Sequence, residues 1–195
     1  MDGKQPSFTY QEDLDKASEV IRQGGIILYP TDTIWGIGCD ARNSEAVKRI
    51  FQLKKRADSK SMLTLVGKES DLNRYVEEVP EIAFQLMDVA VKPLTIIYDK
   101  AYGVAKELLA EDGSLGIRVT KERFSRDLCN KVRGPLVSTS ANISGASAPG
   151  NFTEISDEIK EGVDYIVNYR REDFSKSSPS NIIKLGTDAS VKIIR

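Results

Sequence analysis

Basic side chains are the groups in this sequence best placed to do chemistry. They cluster as Lys54, Lys55, Arg56 and Lys60 after a segment with helical periodicity. If the chain is extended there, Lys54 and Arg56 point to the same side. They could then hold one polyanion, the arginine through two parallel hydrogen bonds and the lysine as a mobile charge. Cations in the last turn of a helix also complement its dipole while staying solvated, and this alternative remains open.

Hydroxyl groups follow an apolar segment that ends at Pro30. Thr31 and Thr33 flank Asp32 at that point. Open α/β sheets bind ligands just beyond the ends of their strands, so these groups are candidates for ligand binding. The alternative is a turn in which Thr31 and Asp32 bond their own backbone.

A second hydroxyl-rich segment runs from Ser138 to Gly145 and includes Ser140 and Asn142. Small residues let backbone N–H groups approach a ligand closely, so the segment is a candidate phosphate-binding loop. It lacks the glycine and lysine spacing of a P-loop. A surface loop rich in turn-forming residues is the alternative.

Arg118 interrupts the apolar segment Gly116-Ile117-Arg118-Val119. Burying an arginine is costly unless an anion pairs with it, so Arg118 is a candidate anion-binding residue. The alternative is an edge strand that turns Arg118 towards water.

The elements that must position these groups alternate between helix and strand along the chain, which predicts a sheet covered by helices. The apolar spacing predicts helices over 11–23, after an N-cap at Ser44, over 80–90, over 121–132 and after Thr153. Strands are predicted over 26–29, 62–66, 94–98, 115–119, 135–138, 165–168, 181–185 and 191–194.

Composition narrows the chemistry. The 195 residues are 40% apolar and 29% charged, with no long apolar run and no secretory pattern at the start, so we expect a soluble cytoplasmic protein. The chain has no histidine, which excludes a Ser-His-Asp triad and the common zinc sites. Cys39 and Cys129 are expected to be reduced thiols. A net charge of −1 argues that any basic site is local.

The motifs together resemble the YrdC-like family of threonylcarbamoyl-AMP synthases, from about residue 12 to residue 185. Some positions depart from the commoner family pattern, namely Trp35, Ala57, Lys92, Thr120 and Asn181. The matching segments, in family order, are Pro30-Thr31-Asp32-Thr33, Lys54-Lys55-Arg56, Pro93-Leu94-Thr95, Gly116-Ile117-Arg118-Val119 and Ser140-Ala141-Asn142.

The resemblance implies an α+β fold, a single-domain three-layer α/β/α arrangement with a twisted mixed sheet and a basic concave face. It implies one domain over 1–195, with no additional C-terminal domain. The implied reaction converts ATP, L-threonine and bicarbonate into threonylcarbamoyl-AMP and pyrophosphate, with Mg²⁺ bound through the ATP phosphates. A downstream threonylcarbamoyl-transferase complex would then modify an adenosine of tRNA.

The resemblance also assigns roles to residues. The implied catalytic residues are Lys54, Arg56, Ser140 and Asn142. The implied ATP-binding residues are Lys54, Arg56, Lys60, Arg118, Ser138, Ser140, Asn142 and Ser180. The implied threonine-binding residues are Thr31, Thr33 and Arg118.

Two alternatives remain open from the sequence. One is a non-catalytic RNA-binding or ribosome-assembly module that binds tRNA or double-stranded RNA on the same basic concave face. The other is a nucleotide-binding member of the fold that uses a different acceptor from threonine.

Overall fold

The computed structural model describes residues 9–55, 62–175, 177–188 and 190–195. Short 3₁₀ turns cover Glu69–Arg74, Lys106–Leu108 and Phe152–Glu154. Within the described ranges the helices and strands are, in chain order, α1 (Tyr10–Arg22), β1 (Ile27–Tyr29), β2 (Gly36–Gly38), α2 (Ser44–Leu53), β3 (Leu63–Val66), α3 (Glu81–Val89), β4 (Leu94–Tyr98), β5 (Leu115–Val119), α4 (Arg123–Val132), β6 (Leu136–Ser140), α5 (Asp157–Glu161), β7 (Tyr165–Ile166), β8 (Asn181–Leu185) and β9 (Val191–Ile193).

The strands form one mixed sheet in the order β7-β1-β2-β6-β3-β5-β4-β8-β9. Three neighbouring pairs are parallel: β1 with β7, β3 with β5, and β4 with β8. The other neighbours are antiparallel. The central strands therefore have hydrogen-bonded partners on both sides.

Helix α1 begins at a capping box, in which Thr9 and Glu12 satisfy each other's backbone N–H groups. Helix α4 begins after Glu122, whose carboxylate accepts from the backbone N–H groups of Phe124 and Ser125. Leu14 of α1 and Phe124 of α4 belong to one buried cluster with Leu65 of the sheet. These two helices therefore cover the same face of the sheet.

The opposite face is covered by α2 and α3. Ile50 of α2 and Ala83 of α3 belong to a second buried cluster that includes Leu28 and Ile37 of the sheet. Leu28 and its neighbour Ile27 fall in different clusters, as the alternation of side chains along a strand requires. The predicted three-layer α/β/α arrangement with a mixed sheet is confirmed.

Helices α1 and α4 do not cover the whole of the sheet face on which they pack. Leu136, Ser138 and Ser140 share one side of β6 because side chains alternate along a strand. Leu136 packs in the cluster beneath the two helices, whereas Ser138 and Ser140 line a cavity. The open part of this face positions the candidate site.

Several boundaries differ from those predicted. Strand β2, Gly-Ile-Gly, was not predicted, because glycine is a poor strand former and only pairing with β1 and β6 holds it extended. Strand β6 continues to Ser140, so the hydroxyl segment begins on the strand and not in a loop. The N-cap of α2 is Asn43, one residue before the predicted Ser44. Thr153 lies in a 3₁₀ turn, and α5 begins four residues later at Asp157.

Across the part of the chain that is described, no helix combines the length and the apolar character needed to cross a bilayer.

Candidate active site

The main cavity has a volume of about 510 Å³ and lies over the open part of the sheet. Neighbouring strands form its floor. Leu63 of β3 lies opposite Ser138 of β6, and Ile97 of β4 lies between Gly116 of β5 and Lys184 of β8. Gly116 has no side chain, so the floor is recessed there. The lining also includes Thr33, Trp35, Gly36, Thr95, Ser114, Arg118, Thr139, Ser140, Ser180, Ile182 and Arg195.

Arg118 is the central polar group of this cavity. It lies on β5, between β3 and β4, and only 2% of its surface is exposed. Its Nη2 atom lies 3.0 Å from Asp32 Oδ1. The predicted alternative of a water-facing edge strand is therefore wrong, and the anionic partner that burial demands is Asp32.

The hydrogen bonding of Arg118 is incomplete. Its bonds to Thr33 Oγ1 and Thr95 Oγ1 are long, at 3.4 Å each. Within the described residues, its Nε has no hydrogen-bond partner, and Asp32 Oδ1 is close to Nη2 without being aligned as an acceptor. Desolvation lowers the pKa of Arg118 from its ordinary value, and Asp32 opposes that shift. A bound anion would supply the missing acceptors.

Two further cations line the cavity. Lys184 is held by Asp112, at 2.7 Å, and by Asp99, at 3.3 Å. Arg195 donates through Nε to the Ser180 carbonyl at 3.1 Å. Among the described lining residues there are three cationic side chains and no acidic one. Because aspartates just outside the lining pair with Arg118 and Lys184, the attraction for an anion rests on the incompletely bonded Arg118 guanidinium and on Arg195.

Hydroxyl groups complete the polar lining. Ser138 and Ser140 project from β6, and Ser180 bonds to Thr95 at 2.8 Å. Hydroxyls both donate and accept, so they can hold the oxygens or the amine of a small ligand. All three serines were among the residues predicted for ATP, and the structure brings them to the cavity that contains Arg118.

The segment after Pro30 is a turn. Thr31 Oγ1 donates to the Ile34 carbonyl at 2.8 Å and accepts from the Thr33 N–H at 3.1 Å. The turn alternative therefore holds for Thr31, whose hydroxyl is engaged. Thr33 lines the cavity, and Asp32 faces Arg118.

Lys54 is buried, with 1% of its surface exposed, so the alternative of a solvated helix end is wrong for this residue. Its Nζ donates to the carbonyls of Ser140 and Asn142, at 2.5 and 2.6 Å. The premise of an extended chain also fails, because Lys54 has helical dihedrals and Lys55 has a φ of 50°. Lys54 thus ties the end of α2 to the segment after β6, behind the cavity wall.

Asn142 lies in the same wall. Its Nδ2 donates to the carbonyls of Ile143 and Ala146, at 3.0 and 2.8 Å. Within the described chain its buried Oδ1 has no partner. The backbone N–H groups of Ala141, Asn142, Ser144 and Ala146 already bond to carbonyls. These four amides therefore do not form the open phosphate-binding loop that the sequence predicted.

Arg56 and Lys60 lie outside the described residues, so their predicted roles stay predictions. Met62, the first described residue after them, lines the cavity. Sequence reasoning missed Ser114, Lys184 and Arg195 as lining residues. Lys184 interrupts an apolar strand segment, as Arg118 does, and Arg195 directly follows another such segment. The same reasoning that selected Arg118 could therefore have selected both as candidate anion-binding residues.

No group of three or more metal-binding side chains occurs within the described ranges. The donor set of the cavity is made of hydroxyls and cations, which bind anions and not bare Mg²⁺.

The fold is that of an α/β protein with a cavity lined by cationic and hydroxyl side chains on the open part of a mixed sheet. The sequence profile of the Sua5_yciO_yrdC family, described as telomere recombination, matches residues 19–195. The chain belongs to this family.

Individual relatives agree with that assignment. A protein of Methanocaldococcus jannaschii is 34% identical over 181 residues, which span 92% of this chain and 84% of that protein. The threonylcarbamoyl-AMP synthase of Idiomarina loihiensis is 33% identical over 147 residues, 74% of this chain and 79% of the relative. A structure of P. abyssi Sua5 complexed with L-threonine superposes with a TM-score of 0.84 at 23% identity. The alignment covers 96% of this chain and 54% of that one, and it supports the shared fold.

Proposed function

We propose that this chain is a threonylcarbamoyl-AMP synthase, an enzyme that acts as a nucleotidyltransferase. The observation that carries the proposal is Arg118, a buried guanidinium with incomplete hydrogen bonding on the floor of a cavity of about 510 Å³. The names of relatives at 33% identity support the same activity. A non-catalytic RNA-binding module on this face is not favoured, because those relatives are named as synthases.

The threonine substrate is best placed with its carboxylate on Arg118. A guanidinium and a carboxylate form two parallel hydrogen bonds, and Arg118 has donors to spare. Thr33, Ser138 and Ser180 lie on the cavity wall and offer partners for the amine and the hydroxyl. The complex of P. abyssi Sua5 with L-threonine supports this choice of substrate.

The chemistry suits a site without histidine. The threonine amine attacks the carbon of CO₂ derived from bicarbonate, loses a proton and becomes a carbamate. A carbamate oxygen then attacks the α-phosphorus of ATP, and the bond to the β-phosphate oxygen breaks to release pyrophosphate. Such phosphoryl chemistry depends mainly on in-line positioning and charge neutralisation, which arginine and lysine supply.

The triphosphate requires cations beyond Arg118. Arg195 and Lys184 are in the cavity lining, and Arg56 and Lys60 remain proposed ligands from the sequence pattern. Ser140 lines the cavity from β6 and would contact the nucleotide. Lys54 and Asn142 would act by fixing the cavity wall, since both bond to backbone carbonyls.

Mg²⁺ is proposed to arrive on the ATP phosphates. Magnesium keeps several waters and binds through carboxylates or substrate phosphates. The described cavity lining offers no carboxylate, so the phosphate oxygens and water would hold the ion, which would neutralise charge as pyrophosphate leaves. A separate transferase complex would take the product to tRNA.

The test is pyrophosphate release from ATP with Mg²⁺. The proposal expects release that requires both L-threonine and bicarbonate and that falls when serine replaces threonine. Arg118→Ala should abolish release, whereas Arg123→Ala, which removes an exposed arginine on α4, should not change it. Release that ignores threonine, or an active Arg118→Ala protein, would overturn the proposal.

A further inference from the structure

A second, smaller hollow lies on the other face of the sheet from the cavity. It has a volume of about 200 Å³ and is lined by Met87 of α3, Leu94 of β4 and Val119 of β5. Side chains alternate along a strand, so Leu94 and Val119 point away from the cavity, which the adjacent Thr95 and Arg118 line. This space is here named the rear hollow.

Asp32 connects the rear hollow to the cavity. Its Oδ1 atom is buried and lies 3.0 Å from Arg118 Nη2. The side chain keeps 10% of its surface exposed, and Asp32 lines the rear hollow but not the cavity. A ligand in the rear hollow would therefore contact the same carboxylate that compensates Arg118.

Three other charged groups of the rear hollow lack ion-pair partners. Glu69 is partly buried, and its carboxylate forms no hydrogen bond or ion pair with any residue in the described ranges. Lys92 and Lys121 form no ion pair with the described residues either, although Lys121 Nζ donates to the Met87 carbonyl at 3.3 Å. Unpaired charges of both signs around one small space suit a ligand that carries both an ammonium and a carboxylate.

The rest of the lining is apolar. Met87 is buried, and Pro93, Leu94 and Val119 are partly buried. A polar ligand group against these side chains would lose its hydrogen bonds to water, whereas an aliphatic group would gain from burial. The volume of about 200 Å³, where one water molecule occupies about 30 Å³ of the liquid, gives room for a molecule of amino-acid size.

We propose that the rear hollow is a regulatory site for an aliphatic α-amino acid. The ammonium of the ligand would bind between Asp32 and Glu69. Its carboxylate would bind to Lys92 and Lys121, each of which offers a donor. Its side chain would pack on Met87 and the apolar wall beside it.

An apolar protein segment is the main alternative occupant, because Val89 and Val91, which flank the lining residue Ala90, are 73% and 100% exposed. The charges argue against it. The interior of a peptide has no charged backbone ends, so it would cover Glu69 and the lysines without pairing them, which costs free energy. A free amino acid pairs all of them.

Occupancy of the rear hollow should strengthen anion binding in the cavity. Asp32 offsets the charge of Arg118, and a ligand ammonium beside Asp32 would draw on the same carboxylate. Arg118 would then attract a substrate carboxylate more strongly. This coupling to threonine rests on the proposed function. Because coupling between two sites is reciprocal, threonine in the cavity should tighten binding in the rear hollow by the same factor, about fivefold.

The experiment measures the binding of L-leucine by isothermal titration calorimetry. Wild-type protein should give a saturable heat. Glu69→Gln removes one carboxylate with little change in shape, and we expect an affinity at least about tenfold lower, because a hydrogen bond to a charged group is lost. Glu78→Gln is the matched control, because Glu78 is an exposed glutamate outside the rear hollow, and its affinity should equal that of wild type.

The sign of the threonine effect identifies the site. L-Leucine in the rear hollow should bind more tightly when L-threonine is present, and it should lower the KM for threonine in the pyrophosphate assay. L-Leucine in the cavity would instead compete with threonine and raise that KM. Competition or independence between the two amino acids in protein that binds threonine, equal affinities in the two glutamate variants, or no heat with wild-type protein would overturn the proposal.

Leucine derivatives test the class of ligand. Leucinamide lacks the carboxylate and N-acetyl-leucine lacks the ammonium, so each should bind at least about tenfold more weakly than L-leucine. N-acetyl-leucinamide that binds as tightly as L-leucine would assign the rear hollow to an apolar peptide segment and overturn the proposal.

Failure of the proposed function would look different. Protein that neither binds threonine nor releases pyrophosphate contradicts the synthase assignment, and the two glutamate variants then decide the rear hollow without it. Normal threonine-dependent release with no leucine binding contradicts only the regulatory site.

Discussion

Arg118 Nη2 lies 3.0 Å from Asp32 Oδ1, and this pair joins the central strand β5 to the turn after β1. Both side chains are at least nine-tenths buried. Each charge therefore depends on the other for compensation, and Arg118 also lines the cavity.

Asp32→Asn tests this dependence. Removing one partner of a buried pair leaves the other uncompensated, and we expect a loss of about 3 kcal/mol in the free energy of unfolding. Urea denaturation measures it. Asp157→Asn removes an exposed carboxylate 3.9 Å from Lys160, and an exposed pair contributes less than about 1 kcal/mol. Similar losses in both variants would contradict the structural role of the buried pair.

Lys54→Met tests the position of Lys54 in the cavity wall. The substitution leaves the carbonyls of Ser140 and Asn142 without their donor, which should cost about 1–3 kcal/mol of stability. Urea denaturation and pyrophosphate release should decline together. A fully stable variant with no activity would instead assign Lys54 to the substrate phosphates, as the sequence pattern predicted.

Gly116→Ala tests the recessed floor of the cavity. A Cβ there would meet Thr95 Cγ2 at 3.4 Å, an ordinary contact, so stability should change by less than about 1 kcal/mol. The added methyl group occupies ligand space, and we expect a higher KM for threonine or ATP.

Gly38→Ala is the contrasting substitution. A Cβ there would collide with the Val137 carbonyl and the Tyr29 ring, so this variant should lose stability. An unchanged KM in Gly116→Ala would show that substrates do not reach the floor.

The lowered pKa of Asp173 predicts that the stability of the protein depends on pH. The Ser175 hydroxyl and then the Arg170 guanidinium lower the pKa of Asp173 from 3.8 to about 2. Because the folded pKa is depressed, the carboxylate stabilises the protein above pH 3.8 and this contribution disappears as the pH falls towards about 2. The difference in urea midpoint between wild type and Asp173→Asn should shrink over that interval.

Ser175→Ala provides the check, because it removes the main hydrogen bond to Asp173. It should reproduce part of the same pH dependence. A difference that grows as the pH falls would have the wrong sign for this account. Asp173 is also linked to the candidate site, because its partner Arg170 donates to the Thr31 carbonyl at 3.1 Å.

A sheet covered by helices could be predicted because helical and strand periodicities are local, whereas the three-layer arrangement was implied by the family resemblance. Strand β2 could not, since its two glycines carry no strand propensity and its partners lie elsewhere in the chain. Arg118 was predicted as an anion-binding residue from the cost of burial alone. Its partner Asp32 could not be predicted, because the contact depends on how the turn after β1 packs against β5.

The roles of Lys54 and Thr31 show a second limit of the sequence. Both stood in motifs suited to ligand binding, yet their polar atoms bond to the chain itself. A motif specifies which groups are near a site and not whether they face the ligand. That distinction depends on dihedral angles such as those at Lys54 and Lys55, which an assumed extended chain misrepresented.

The most direct test of the central claim uses the single tryptophan of the chain. Trp35 lines the cavity and is 6% exposed, so ligands there should change its fluorescence. With excitation at the red edge of its absorption, we expect a saturable change on titrating L-threonine with ATP and Mg²⁺ into wild-type protein. Arg118→Ala should show none. An undiminished titration in Arg118→Ala, or a wild-type enzyme that releases pyrophosphate without any change at Trp35, would contradict the placement of the site.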